Sequence, residues 1–212
     1  QHTYVVMPFC QEGSLTHWLE QHRPSRLLAL HEVAGVLHQL ADVLDYLHKQ
    51  GVIHGNVKPS NILVRSCKET PTCPDVLLAD VASRPQLTTT VNPPQPIGTT
   101  SPYEAPERRR GIILPASDQY SLAVVAYELL TGHLPFHQRQ ADRTEKYLHE
   151  PPRPPSILAE HIPKEINDII LRALAENPQD RFPSLAAFAS AFQRALPDQG
   201  SLHATLVISP AE

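Results

Sequence analysis

No apolar run in the chain approaches the roughly 20 residues needed to cross a bilayer, and the first residues lack the basic-then-apolar layout of a signal peptide. Basic residues are not in excess either: 18 Lys and Arg stand against 22 Asp and Glu, a net charge of −4. A surface of that balance has no general attraction for nucleic acid or anionic lipid, so neither is an expected partner. Cysteine is scarce. Three residues, Cys10, Cys67 and Cys73, are an odd number in a chain this long and do not form a secreted disulfide framework, which points to a reducing, cytoplasmic setting. Cys67 and Cys73 are near enough in sequence to bridge the loop they flank, although two ordinary thiols in a variable loop is the plainer reading. Twelve histidines are present, yet none has the H-E-x-x-H or Cys/His spacing of a zinc site. The chain opens Gln1-His2-Thr3 without an initiator Met, as a piece of a longer protein would, and 212 residues suffice for one domain or one lobe of a larger one.

What is present centres on Val52 to Leu63, VIHGNVKPSNIL. Two short apolar runs that read as strand-like frame a polar loop carrying His54, Asn56, Lys58 and Asn61, the layout of a site held on a rigid frame. Upstream, Thr3 to Phe9 is β-branched and aromatic and reads as a strand that Pro8 ends or bends. Ser14 is placed to cap a short helix through Leu15, Trp18 and Leu19. From Glu32 to Gln50, Val33, Val36, Leu37, Leu40, Leu44 and Leu47 recur at three- and four-residue steps, so one helix face is buried, and Gly51 ends it.

Asn61 to Val64 and Val76 to Ala79 read as a hairpin that delivers Asp80 at its end. Ser83 to Ser101 is rich in Thr and Pro and has no period, which suits a long functional or disordered loop. Asp118 to Thr131 is apolar nearly all round, the mark of a helix surrounded by protein, and Gly132 and Pro135 stop it. A variable, charged stretch from Gln138 to Pro155 precedes two amphipathic helices, Lys164 to Glu176 and Ser184 to Leu196. The tail holds one β-like run, Ala204 to Ile208.

The order of these residue types resembles the protein kinase family. H-x-N-V-K-P-x-N is similar to the catalytic loop H-R-D-x-x-x-x-N, and D-V-A to the D-F-G that opens the activation segment. The run from Gly98 to Glu107 is similar to G-T-x-x-Y-x-A-P-E with one residue more, and D-x-x-S-L and D-R-F follow in family order. Lys-Pro-x-Asn is the Ser/Thr form of the loop. The implied fold is α+β and protein-kinase-like: a mainly helical C-lobe with short β-hairpins and no N-lobe sheet. Residues 1–13 would be the hinge and last N-lobe strand, 14–196 the C-lobe and 197–212 a tail.

The resemblance also implies roles. Met7, Phe9 and Cys10 would border the adenine site, Lys58 would contact the transferring phosphate, and Asn61 and Asp80 would ligate Mg²⁺. His54, Thr99, Glu107, Asp118 and Arg181 would be structural, with Asp118 bracing the catalytic loop and Arg181 pairing with Glu107. The Gly-rich loop, the V-A-I-K lysine and its glutamate partner are not in this sequence. ATP and Mg²⁺ are therefore expected only with the missing N-lobe.

Two departures govern the expected chemistry. Asn56 replaces the catalytic Asp, and a neutral amide has no basicity near pH 7 with which to take a proton from a substrate hydroxyl. Gly55 replaces the Arg that grips a phosphate on the activation segment, so phosphorylation at Thr88 to Thr90 is not expected to switch the domain in the usual way. Val81-Ala82 replaces Phe-Gly, with less backbone freedom at Ala82. The expected function is a Ser/Thr protein-kinase-like domain with impaired transfer, a regulatory pseudokinase acting with a protein substrate or regulated partner. A slow but active kinase is the alternative, and a nucleotide-free interaction scaffold the third.

Overall fold

The computed structural model describes residues 9–65, 74–81, 101–136 and 151–197. The expected strand before Phe9, Met7, both loop cysteines, Ala82, Thr88 to Thr90, Thr99 and the 204–208 run lie outside them. The described residues are mainly helical, with one two-stranded antiparallel sheet.

Helix α1 (Leu15–His22) starts where Ser14 Oγ accepts the His17 N–H at 3.3 Å, supplying a partner for one of the unpaired donors of the first turn. Helix α2 (Leu30–Lys49) begins two residues before the expected start at Glu32. Ala29 has no side-chain acceptor, so the cap works from inside: Glu32 reaches back to the Ala29 N–H at 2.8 Å and also pairs with Arg23. The repeat Val33, Val36, Leu37, Leu40 and Leu44 is buried, and Gly51, at φ +73°, turns the chain out of the helix.

Strands β1 (Ile62–Arg65) and β2 (Asp75–Leu78) pair in register from Ile62 opposite Leu78 to Arg65 opposite Asp75. Asn61 belongs to the 3₁₀ turn Pro59–Asn61 that precedes β1, not to the strand. The apolar run before the loop is not a strand either. Residues 52–57 have no ladder partner: the Val52 N–H goes to the Leu47 carbonyl, those of His54 and Gly55 to the Asp118 carboxylate, and that of Asn56 to the His54 ring.

After the short helix α3 (Pro106–Arg109), helix α4 (Pro115–Thr131) runs through the centre of the molecule, with Ser117 to Tyr127 buried without a break. It begins three residues before Asp118, with Pro115 in the first turn, where its missing N–H costs nothing. Helix α5 (Pro155–Leu158), helix α6 (Lys164–Ala173) and helix α7 (Leu185–Arg194) complete the order. Helices α2, α4, α6 and α7 enclose one core that includes Leu37, Leu44, Leu122, Leu129, Ile166, Phe188 and Phe192. The loop between α2 and β1 is thereby seated on α4. None of the described helices is long and apolar enough to cross a membrane.

Candidate functional site

The loop of residues 52–61 owes its shape to one carboxylate. Asp118, fully buried in the first turn of α4, accepts the His54 N–H at 2.9 Å and the Gly55 N–H at 2.7 Å. His48, at the end of α2, places Nε2 2.8 Å from the same carboxylate. Three donors converge on one buried group from two elements, which is how a buried carboxylate is tolerated.

The His54 ring carries the bracing outward. Its Nε2 donates to the Ala79 carbonyl at 2.9 Å, and its Nδ1 accepts the Asn56 N–H at 3.2 Å. Those two bonds require a proton on Nε2 and none on Nδ1, so the ring is neutral. Burial is the main cause that keeps the pKa of this ring below the usual imidazole value. The Ala79 carbonyl and the Asp118 and Asp80 charges pull the other way, and Arg108 adds to the lowering. His54 thus ties the loop to the strand end that carries Asp80.

Asn56 is held at both ends of its backbone, with its N–H on His54 and its carbonyl accepting from Asn61 Nδ2 at 2.9 Å. Its side chain is exposed, as is Asp80, while Lys58 is half-buried. The Asn61 carbonyl accepts the Ala79 N–H at 2.8 Å, which brings Asn61 and Asp80 to the same end of the hairpin. Asp80 has φ +59°, a left-handed backbone that a non-glycine residue adopts at a cost. That strain turns the chain at the end of β2.

The donor set suits a hard cation shared with phosphates. With Nδ2 spent on Asn56, Asn61 keeps Oδ1 as a free oxygen ligand, and Asp80 offers an exposed carboxylate with no ion pair among the described residues. Mg²⁺ is bound through one or two such oxygens plus substrate phosphates, not through a dedicated cage. Among the described residues no group of three His, Cys, Asp or Glu side chains could hold a metal alone. Phe9 and Cys10 lie at the start of the described chain, Phe9 88% exposed and Cys10 half-buried.

A second buried pair stands below the loop. Arg181, 2% exposed, forks onto Glu107 with two bonds of 2.8 Å, and donates as well to the carbonyls of Ala175, Ala116 and Glu176. Ser117 Oγ donates to the same Glu107 oxygen at 2.8 Å. Burial alone would raise the Glu107 pKa, but the bonds from Arg181, together with that from Ser117, outweigh it and hold the carboxyl below its ordinary value. Nearby, Tyr103 donates its hydroxyl to Glu128 at 2.5 Å. Burial raises the pKa of both groups, that of Glu128 against the opposing effect of this bond.

Two residues of this region have no motif signal of their own. His48 lies in the last turn of an amphipathic helix, and Arg108 reads as the first of three surface arginines. Only the fold shows what each one meets.

A family model described as protein kinase domain matches residues 1–193. The chain is 36% identical over 200 residues to Serine/threonine-protein kinase Pkn1 of Myxococcus xanthus, covering 91% of this chain and 27% of that protein. It is 33% identical over 208 residues to PknD of Mycobacterium tuberculosis, covering 97% of this chain and 30% of that one. The chain therefore spans between a quarter and a third of these relatives. Among solved structures, the Mycobacterium tuberculosis PknI kinase domain superposes with a TM-score of 0.66 at 28% identity, over 89% of this chain and 64% of that one. Rad53 1–466 in complex with AMP-PNP matches with the same TM-score at 24% identity, over 86% of this chain and 44% of that one, which shows the fold alone. By these matches and by the order of its motifs, the chain belongs to the protein kinase domain family, in its bacterial Ser/Thr branch.

Proposed function

We propose that this chain is the C-lobe portion of a kinase-like domain that binds Mg-ATP together with an N-lobe elsewhere in the protein and acts as a regulatory pseudokinase on a protein partner. In this division residues 1–13 form the hinge, 14–196 the lobe and 197–212 a tail. The observation that carries the reading is the contrast at Asn56: its backbone is bonded at both ends, yet its side chain is an amide. The loop is built for phosphoryl transfer and lacks the group that accepts a proton.

Phosphoryl transfer depends mainly on positioning and charge neutralisation. Asn61 and Asp80 would hold Mg²⁺, which neutralises phosphate charge. Lys58 would contact the transferring phosphate and the substrate hydroxyl, Met7, Phe9 and Cys10 would border the adenine, and Thr99 would anchor the far end of the activation segment. His54, Asp118, Glu107 and Arg181 would keep the frame rigid. Asn56 can orient a hydroxyl by hydrogen bonding but does not take its proton, and loss of a general base costs about 10² to 10⁴ in rate.

A slow but active kinase is the second reading, supported by the same intact backbone at Asn56. ATP with Mg²⁺ should raise the melting temperature of the full-length protein, and Asp80→Ala should remove that shift. No shift in the wild type would leave only a nucleotide-free scaffold. The rate gained by Asn56→Asp then separates pseudokinase from slow kinase.

A further inference from the structure

Gly55 is enclosed by two side chains from other elements. On its amide side the N–H donates to Asp118 Oδ1 at 2.7 Å. On its α-carbon side, a Cβ built on it would lie 3.2 Å from Arg108 Nη1, 3.4 Å from Cζ and 3.5 Å from Nη2. Distances so nearly equal place that point over the flat face of the guanidinium, not at its edge. The N–H groups of a guanidinium radiate in its plane, so Gly55 meets a surface and not a donor.

The position of Arg108 is set from below the loop. It follows Glu107, whose fork with Arg181 anchors the short helix α3. Arg109 is exposed and Arg110 pairs with Glu176 at 3.5 Å, so of the three arginines it is Arg108 that meets the loop. Its Nε is buried without a hydrogen-bond partner, and no ion pair holds the guanidinium among the described residues. The contact with Gly55 is what the fold gives this side chain.

A side chain at position 55 would need both the left-handed φ of +70° and the space that the guanidinium fills. Asn56 comes next, with its N–H on His54 Nδ1 and its carbonyl on Asn61 Nδ2, so a shift of Gly55 moves Asn56 directly. The charge acts in the same sense. Burial is the main cause that keeps His54 neutral, and Arg108 adds to it, which leaves Nδ1 free to accept the Asn56 N–H.

We propose that Arg108 is a positioning residue for Asn56, and that positions 55 and 108 form one matched pair in which the arginine face closes over the glycine. Arg108 touches no substrate in this account and acts through the loop backbone. Its role is the same whether or not the domain transfers phosphate. A larger residue at position 55 is tolerated only when Arg108 is shortened.

The test combines amide hydrogen exchange with thermal unfolding of the full-length protein. Arg108→Ala should speed exchange at Gly55 and Asn56 at least tenfold and leave the α4 amides from Leu122 to Leu129 unchanged. Arg108→Lys, which keeps the charge without the flat face, should speed the same two amides, and it is read alone if Arg108→Ala does not fold. In the second arm Gly55→Asn is used, because Asn accepts a left-handed backbone better than most residues. It should lower the melting temperature, and at least half of that loss should disappear in the Arg108→Ala background. Exchange reads the loop without reference to activity, so failure of the pseudokinase reading would leave this result standing. Unchanged exchange at Gly55 and Asn56 in the Arg108 variants, exchange raised equally along α4, or the same Gly55→Asn loss in both backgrounds would overturn the proposal.

Discussion

Asp118 Oδ1 accepts the Gly55 N–H at 2.7 Å, joining the first turn of the central helix to the loop 63 residues before it. With Oδ2 on the His54 N–H and His48, this carboxylate takes two backbone donors of the loop and one side chain from the end of α2. Asp118→Ala is expected to lower folding stability by about 3–5 kcal/mol, since two backbone donors lose their acceptor and a histidine its partner. Urea unfolding measures it. Asp118→Asn keeps the shape and loses the charge, and should cost less.

Removal of one side of the Glu107–Arg181 pair should be as severe. Arg181→Ala leaves a buried carboxylate without its fork, and a loss of about 3–5 kcal/mol is expected. Glu107→Gln with Arg181→Met should recover part of that loss, because neither partner then strands a charge. A double-mutant cycle by denaturant titration reads the coupling.

Stability should fall in acid in two steps. His54 binds protons less readily folded than unfolded, so below about pH 6.5 the unfolded chain takes up a proton that the folded one refuses. Its contribution is complete above that value and is lost as pH falls. Glu107, held below the ordinary 4.5, contributes fully above that value and loses its contribution as pH drops further. Glu128 works in the opposite sense: its raised pKa makes its contribution largest in acid and weaker as pH rises past the ordinary carboxylate value. Denaturant midpoints from pH 8 to pH 5 should show the His54 step, and His54→Gln should flatten it.

Gly132 ends α4 at φ +71°, with Leu27 Cδ2 3.3 Å from where a Cβ would stand. Gly132→Ala is expected to cost about 1–2 kcal/mol from the left-handed backbone. A melt of this variant with ATP and Mg²⁺ should show a nucleotide shift like that of the wild type, since Gly132 is not among the residues proposed to hold Mg²⁺ or nucleotide.

Much of this could be read in the chain before the fold. The steps Val33, Val36, Leu37, Leu40 and Leu44 place α2, and the all-round apolarity of residues 118–131 marks α4 as the central helix. Ser14, Gly51 and Gly132 act as terminators for the reason glycines and serines usually do. Val52-Ile53 misleads because β-branched pairs read as strand, and nothing local says that the next backbone donors go to a carboxylate on another element. Arg108 is hidden for the same reason. Three consecutive arginines look like a solvated face, and only the packing of α3 against the loop puts the first of them on Gly55.

The central claim concerns Asn56, and the direct measurement is transfer of labelled phosphate by the full-length protein, wild type beside Asn56→Asp. The account predicts a wild-type rate well below the roughly 1–100 per second usual for kinases, and a gain of about 10² to 10⁴ on restoring the carboxylate. A wild type already turning over at ordinary kinase rates, with no gain in Asn56→Asp, would contradict it.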